Sequence, residues 1–172
     1  MRLVKLAFIS FIFLFLLITG FSLFIPSHVR ISKAINIASV SDSILGQVSD
    51  IGKWKNWYPG FDTLPLLPVD MKDGLVLSAK APGAVTIVVT DIKKDEVVAE
   101  LRGNRTKPLI NGWKTISYPG TDSVTVQWYM DFKLRWYPWE KFSSLLFESN
   151  YGGRMEMGLS NLKKLLEGTV RQ

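Results

Sequence analysis

The side chains of this sequence that could do chemistry are few and scattered. Histidine, the simplest proton-transfer catalyst near neutral pH, occurs once, as His28. It stands just beyond a long apolar run, at the start of an alternating stretch, where an interfacial and solvated ring is expected. Cysteine is absent. That excludes disulfides, zinc–thiolate sites, a thiol nucleophile and a lipid-bearing cysteine. A metal site would have to be built from carboxylates, and no clustered pair or spaced set offers one. Phosphate-cradling glycine loops and nucleophile elbows are missing too. Tyr118, Tyr129 and Tyr151 could polarise a carbonyl. Tyr151 is the best placed, on the apolar side of a helical stretch; the alternative there is a packed ring with its hydroxyl satisfied. Arg102 and Arg105 flank Gly103-Asn104 and could take an acidic head group, or stand as a solvated hairpin tip. Asp131, Lys133 and Arg135 fall on the polar side of a strand and are expected to face solvent. The expectation is no catalytic residue, no metal and no cofactor.

Apolar side chains carry more of the signal. Trp113, Trp128, Met130, Phe132, Tyr151, Met155, Leu159 and Leu162 recur at strand and helix spacings. Most of this stripe is core, but any cavity must be lined by part of it, so these eight are the candidate ligand-contacting residues. Met155 and Met157 would suit an adaptable apolar wall. Trp54 and Trp57, three apart on a helical turn, share a side. They either pack short helices against the end of a sheet or line an entrance.

The elements that must position these residues follow from periodicity. Residues Leu6 to Ile25 form an uncharged apolar run closed by Pro26. About twenty such residues make a helix of roughly 30 Å, the thickness of a bilayer's hydrocarbon core. Val29, Ile31, Ile35 and Ile37 alternate with polar residues, the mark of a half-buried strand. Ser39 or Ser41 offers an N-cap for a short helix over 40–48, broken by Gly52. Residues 53–57 read as a second short helical turn ending at Pro59, and 60–73 as a loop or irregular edge strand. Strands are then expected at 75–80, 84–92, 96–102 and 110–118, with turns at Pro82-Gly83, Lys93-Lys94-Asp95 and Pro119-Gly120. The clearest strand runs from Val124 to Trp136, apolar at every second residue. From about Phe147 to Leu166 the period becomes helical, with Tyr151, Met155, Leu159, Leu162 and Leu166 on one side and Gly168 as C-cap. One terminal helix is the only element large enough to cover the sheet. A curved sheet gripping one helix leaves a space where ligands bind.

Composition bounds the setting. The chain has 172 residues, 47% hydrophobic and 21% charged, enough for one domain beyond the apolar run and hardly two. Arg2 and Lys5 precede the run, leaving 19 of the 21 basic residues against 15 acidic ones. That excess is mild and its residues (Lys93, Lys94, Arg102, Arg105, Lys107, Lys114) are scattered, so no nucleic-acid groove is expected. Weak attraction to anionic lipid is the more natural use. The run is longer than a signal-peptide core and no small-x-small cleavage site follows it. It is expected to stay as a single-pass anchor, residues 1–27, before a domain over 28–172. Arg2 and Lys5 face Arg30 and Lys33 across the run, so the positive-inside comparison is near a tie. The expected arrangement keeps the basic tail inside and puts the domain on the non-cytoplasmic side.

Three segments resemble the START-related helix-grip (SRPBCC) superfamily, in its polyketide cyclase/dehydrase and lipid-transport-like branch. Ile35-Asn36-Ile37-Ala38, with the helix reaching Val48-Ser49-Asp50, looks like its opening strand and helix. Trp54-Lys55-Asn56-Trp57-Tyr58-Pro59 is similar to its W-x-x-W-x-P turn. Gly158-Leu159-Ser160-Asn161-Leu162-Lys163-Lys164-Leu165 looks like its terminal-helix ending. The resemblance spans roughly 29–168 and implies an α+β helix-grip fold: a curved antiparallel sheet around a long C-terminal helix, with two short helices after the first strand. It implies a pocket for apolar or amphipathic molecules and no fixed chemistry. Membrane-anchored versions occur in the family. The stretch from Leu134 to Glu148 departs from the pattern, being unusually aromatic. The expected partners are the lipid bilayer and a hydrophobic small molecule; a protein partner is not specified. Two other readings stay open: an enzyme of cyclase or dehydratase type, and a partner-binding module whose pocket has collapsed beside the aromatic patch at Tyr137–Trp139.

Overall fold

A computed structural model describes residues 2–104, 107–121 and 123–170. Arg105, the partner of Arg102 in the expected head-group turn, lies outside the described residues. Helix α1 (Arg2–Ser22) begins before the apolar run and ends three residues short of Ile25, and is followed by β1 (His28–Ile37), α2 (Ser41–Val48) and a 3-10 turn (Ile51–Asn56). Strands β2 (Leu67–Lys72), β3 (Leu75–Ala81), β4 (Val85–Ile92), β5 (Glu96–Arg102), β6 (Leu109–Ser117) and β7 (Val124–Lys133) come next. Helix α3 (Pro138–Ser143), a second 3-10 turn (Ser144–Leu146) and α4 (Phe147–Val170) complete the chain. The seven strands make one antiparallel sheet in the order β1-β7-β6-β5-β4-β3-β2. Its inner face carries α4 over β1 and β7, with α2 and the first 3-10 turn beside it over β6, β5 and β3.

The register fixes two ends. His28 pairs with Lys133, Leu101 with Leu109 and Ile87 with Leu101, so one end gathers the start of β1, the end of β7, the β5–β6 connection, α3 and the exit of α1. The opposite end holds Ile37, α2, the 93–95 turn and the last turns of α4. There Lys163 Nζ donates to Asn36 O at 2.9 Å and Ala38 N donates to Glu167 Oε1 at 3.0 Å.

Several local expectations change. The N-cap of α2 is Val40, with no side-chain cap; Ser41 lies instead beside Ser117, hydroxyl to hydroxyl at 3.3 Å. Helix α2 ends at Val48 as expected, but Gly52 lies in the following 3-10 turn, where its N–H donates to the capping Asp50 Oδ1 at 2.9 Å. The irregular stretch does contain an edge strand, β2, with register shifts near Asp70. Strand β7 ends at Lys133, three residues short of Trp136. Beyond it Leu134 N donates to Ser27 O, and Arg135 turns to Glu140 through both its backbone and its guanidinium. Gly168 is not a C-cap; α4 continues through Val170. Met157 is exposed, so only Met155 belongs to the apolar side of α4.

The outer face of the sheet is closed over one patch of β7, around Tyr129 and Asp131, which alternation alone does not predict. Asp131 was expected in solvent but is buried, because Arg30, its register partner on β1, forks onto both carboxylate oxygens at 2.6 Å. The same guanidinium lies 4.2 Å from the centre of the Tyr129 ring. Tyr129 covers Gly112 so closely that a Cβ there would sit 2.0 Å from its Cζ. Its hydroxyl donates to Glu96 Oε1 at 2.9 Å. Burial first, then the bond to Glu96, pushes Tyr129 up to about 12 from a model-compound value of 10.0. Between those values the folded chain keeps a proton that the unfolded chain releases, so stability falls as pH rises. The contribution of Tyr129 is complete below pH 10.0 and is lost on approaching about 12. Denaturant titrations across that window should show a steeper loss in the parent than in Tyr129→Phe. Parallel profiles would mean that the hydroxyl is not held in this way.

Candidate functional site

The space between sheet and α4 is organised by the turn that carries Trp54 and Trp57. Asp50 pins that turn to β3, since its Oδ1 also accepts from Val76 N at 3.2 Å. Trp54 Nε1 donates to Val48 O at 2.7 Å and Trp57 Nε1 to Gln47 O at 3.4 Å. With their polar edges satisfied at α2, both rings enter the interior and are buried. Trp54 meets Trp113 of β6 edge-on at 5.2 Å between centroids, and Trp57 meets Trp128 of β7 at 6.0 Å. Trp113 and Trp128 stack on each other at 5.4 Å. Tyr58 follows, 4.9 Å from Trp128 and 4.6 Å from Phe61. The two readings of Trp54 and Trp57 thus resolve to packing.

Helix α4 closes on this cluster through the residues of its terminal motif. A Cβ on Gly158 would lie 2.7 Å from Trp128 Cζ3 and 2.9 Å from Pro59 Cδ. Asn161 Nδ2 donates to Trp57 O at 3.3 Å. The W-x-x-W-x-P turn and the helix ending, more than a hundred residues apart in sequence, therefore touch. At the other end of α4, Lys33 of β1 bridges Glu148 at 2.7 Å and Glu156 at 2.8 Å. Those carboxylates hold its ammonium well above the usual lysine range.

Two spaces remain. An inner cavity of about 120 Å³ lies among Tyr58, Phe61, Leu101, Leu109, Trp128, Met130, Tyr151 and Arg154. A more open vestibule of about 230 Å³ lies at the α1 end, with Leu109, Phe132 and Phe147 as floor and Lys107, Lys133, Arg135, Glu140 and Ser143 as rim. Leu109 belongs to both. Between them stands an aromatic trio in which Phe132 is 4.4 Å from Phe147 and 5.1 Å from Tyr151. Of the eight candidate residues, Trp128, Met130 and Tyr151 line the inner cavity and Phe132 the vestibule. Trp113, Met155, Leu159 and Leu162 are packed in the core. Sequence reasoning did not single out Tyr58, Phe61, Leu109 or Arg154. Tyr58 sat inside a recognised motif and was the one signal to hand. Nothing in the sequence marks Asn111, a fully buried amide on the inner face of β6. Its Oδ1 accepts from Trp128 Nε1 at 3.1 Å, while its Nδ2 and the Nε1 of Trp113, two residues on in β6, have no partner among the described residues.

Electrostatically the inner cavity is quiet. Burial pushes the Tyr58 hydroxyl well above the usual tyrosine range, so it stays protonated. Arg154 supplies the one cation and donates to Pro59 O at 3.3 Å. In the rim, the Arg135 guanidinium holds the Glu140 carboxyl below its ordinary range. His28 lies 4.0 Å from Asp131 on the outer face, away from both spaces.

A curved antiparallel sheet gripping a C-terminal helix, with an aromatic-lined space between them, defines a helix-grip, START-like domain. The chain belongs to the family described as polyketide cyclase/dehydrase and lipid transport, whose model matches residues 28–167. Solved structures share the fold. A START superfamily protein from Mycobacterium smegmatis is 16% identical, with a TM-score of 0.58, over 81% of this chain and 98% of that one. A Thalictrum norcoclaurine synthase point mutant, in complex with a transition-state analogue, is 14% identical, with a TM-score of 0.57, over 83% and 96%. CalU16 from Micromonospora echinospora is 12% identical, with a TM-score of 0.54, over 81% and 74%. No protein of curated function matches the sequence.

Gly158 offers a direct test of how tightly α4 is seated. Alanine is the better helix former by about 1 kcal/mol, but its methyl must displace Trp128 or Pro59, and overpacking costs roughly 1–3 kcal/mol. Gly158→Ala should therefore lower stability at the urea midpoint. A variant as stable as the parent would show that α4 lifts off the aromatic cluster freely.

Proposed function

We propose that this protein is a membrane-tethered binding domain for a hydrophobic or lipid-like small molecule, held between the sheet and α4 without being transformed. The observation that carries the reading is the pair of adjoining spaces: an enclosed aromatic cavity behind a wider, basic-rimmed vestibule. A cavity of roughly 150 Å³ takes a benzene-sized molecule, so the inner space, at about 120 Å³, accepts only a ring edge or a short stretch of alkyl chain. Ligand pockets are usually about 300–1,000 Å³. Rotation of Phe132, Phe147 and Tyr151 would join the two spaces and bring the site toward that range. The rim carries Lys107, Lys133 and Arg135 against Glu140 alone, which favours an amphiphile with an acidic head and an apolar tail.

The tether reading rests on α1. It is long and apolar enough to cross a membrane. It is also integrated with the domain: Ser22 is fully buried, and Lys141 of α3 donates to the carbonyl of Ile25 and the hydroxyl of Ser27. Of these contacts, the burial of Ser22 involves α1 itself and favours a helix that is kept. The side of the membrane is proposed to be the non-cytoplasmic one, with the short basic tail of Arg2 and Lys5 kept inside.

A second reading has its own observation. Tyr151 and Arg154 both reach the inner cavity, and together they could polarise a carbonyl in a cyclase or dehydratase reaction. In that case Arg154→Met would abolish turnover of a bound substrate while leaving its affinity within a few fold.

Binding is tested with a fluorescent fatty acid and the full chain in lipid nanodiscs. Met130→Trp fills the inner cavity and should weaken uptake at least about tenfold, the equivalent of roughly 1.4 kcal/mol. Circular dichroism of the variant controls for folding. No uptake by the parent, or equal uptake by the folded variant, would overturn the site.

A further inference from the structure

We propose that α3 and the 3-10 turn behind it form a lipid-facing platform that seats the domain on the bilayer beside α1. The proposal rests on the anchor reading of α1 and adds to it. A tether says only that the domain is near a membrane, whereas a platform says which of its sides touches lipid.

The platform is the aromatic stretch that departs from the family pattern. Trp136, Trp139 and Leu145 are 64%, 61% and 66% exposed, and Phe142 and Leu146 are exposed beside them. Tyr137 stacks on Trp139 at 4.8 Å. Soluble surfaces rarely leave so contiguous an apolar patch uncovered. Leucine and phenylalanine among Trp and Tyr, with Lys107, Lys133 and Arg135 nearby, is the composition of a membrane interface, where amphipathic rings sit at head-group level and cations meet acidic lipid.

Continuity with α1 identifies the occupant as lipid rather than a protein. Lys141 is buried between the two elements, its Nζ 2.5 Å from Ile25 O and 2.8 Å from Ser27 Oγ. It satisfies a carbonyl at the exit of the apolar helix with a positive charge, the favourable sign at a helix C-terminus. Helix α1 packs against α3, and Phe21, Leu23 and Phe24 at the exit of α1 are exposed. If α1 spans the hydrocarbon, the residues fastened to its last turn lie where hydrocarbon meets head groups. Ser143 of α3 also rims the vestibule. A ligand could then pass from the bilayer into the vestibule without crossing bulk water.

The absence of cysteine makes the test clean, since a single introduced cysteine takes the only spin label. The full chain is reconstituted in phosphatidylcholine–phosphatidylglycerol vesicles. Labels are placed by Trp139→Cys and Leu145→Cys on the platform, Phe13→Cys in α1 and Lys94→Cys at the opposite end of the sheet. Collision with oxygen, which concentrates in lipid, is compared with collision with a water-soluble nickel chelate. The platform labels should favour oxygen, as the label at 13 does, and the label at 94 should favour nickel. Platform labels that favour nickel, while the label at 13 favours oxygen, would overturn the platform and leave the anchor standing. Platform labels shielded from both agents would mean that a protein or a second copy covers the patch, and would also overturn it. A label at 13 that favours nickel would overturn the anchor reading and the platform with it.

Discussion

Trp54 and Trp57 leave a single 3-10 turn and both end between the sheet and α4, where Trp113 and Trp128 already stand. Everything else in the interior accommodates those four indoles. Each large ring buries about 150–250 Å², so together with Tyr58 and Phe61 they occupy much of the space a helix-grip sheet encloses. Two features keep them there. The Nε1 groups of Trp54 and Trp57 are satisfied by α2 carbonyls and that of Trp128 by Asn111. Glycine at 158 lets α4 descend onto Trp128 and Pro59. The size of the inner cavity is a remainder, what this packing leaves beside Met130 and Tyr151.

The two ends of the domain are unlike for the same reason. At the far end, Lys163, Asn161 and Glu167 fasten α4 to β1 and to the tryptophan turn. At the α1 end, α4 begins with the smaller contacts of Phe147 and Tyr151 against Phe132 and with the Lys33 bridge to Glu148 and Glu156. Those carboxylates are more than half exposed, and ion pairs of that kind contribute little to stability. The aromatic trio is only partly buried against the core, whereas the indole cluster is buried and hydrogen-bonded at its edges. The less deeply buried end is thus the end where α1, α3 and the basic rim converge.

Much of the fold was legible in the sequence because it is periodic. Strict alternation in β1 and β7, the helical spacing of α4 and the turn dipeptides placed nearly every element within a few residues. The errors have local physical causes. Asp131 is expected in solvent because alternation distinguishes faces and not environments; Arg30 across the strand pair buries it. Strand β7 was drawn too long because its alternation continues into residues that turn away to meet Glu140. Of the site, the sequence offered the apolar stripe without saying which members face a space. Trp128, Met130, Tyr151 and Phe132 do; Trp113, Met155, Leu159 and Leu162 are packed among neighbours.

By itself, the sequence determined the apolar helix, the order of strands and helices, the absence of thiol chemistry and the two motifs of the family. These depend on residue type and short spacings, which the linear chain carries in full. Tertiary structure alone decided that the two motifs meet, that the interior is mostly filled, that Arg154 and Leu109 reach the remaining space and that Lys141 ties α3 to the exit of α1. Each of these brings together residues roughly fifty to more than a hundred positions apart. Such contacts are set by how rings and backbones fit in three dimensions, and that fit leaves no period in the sequence to read.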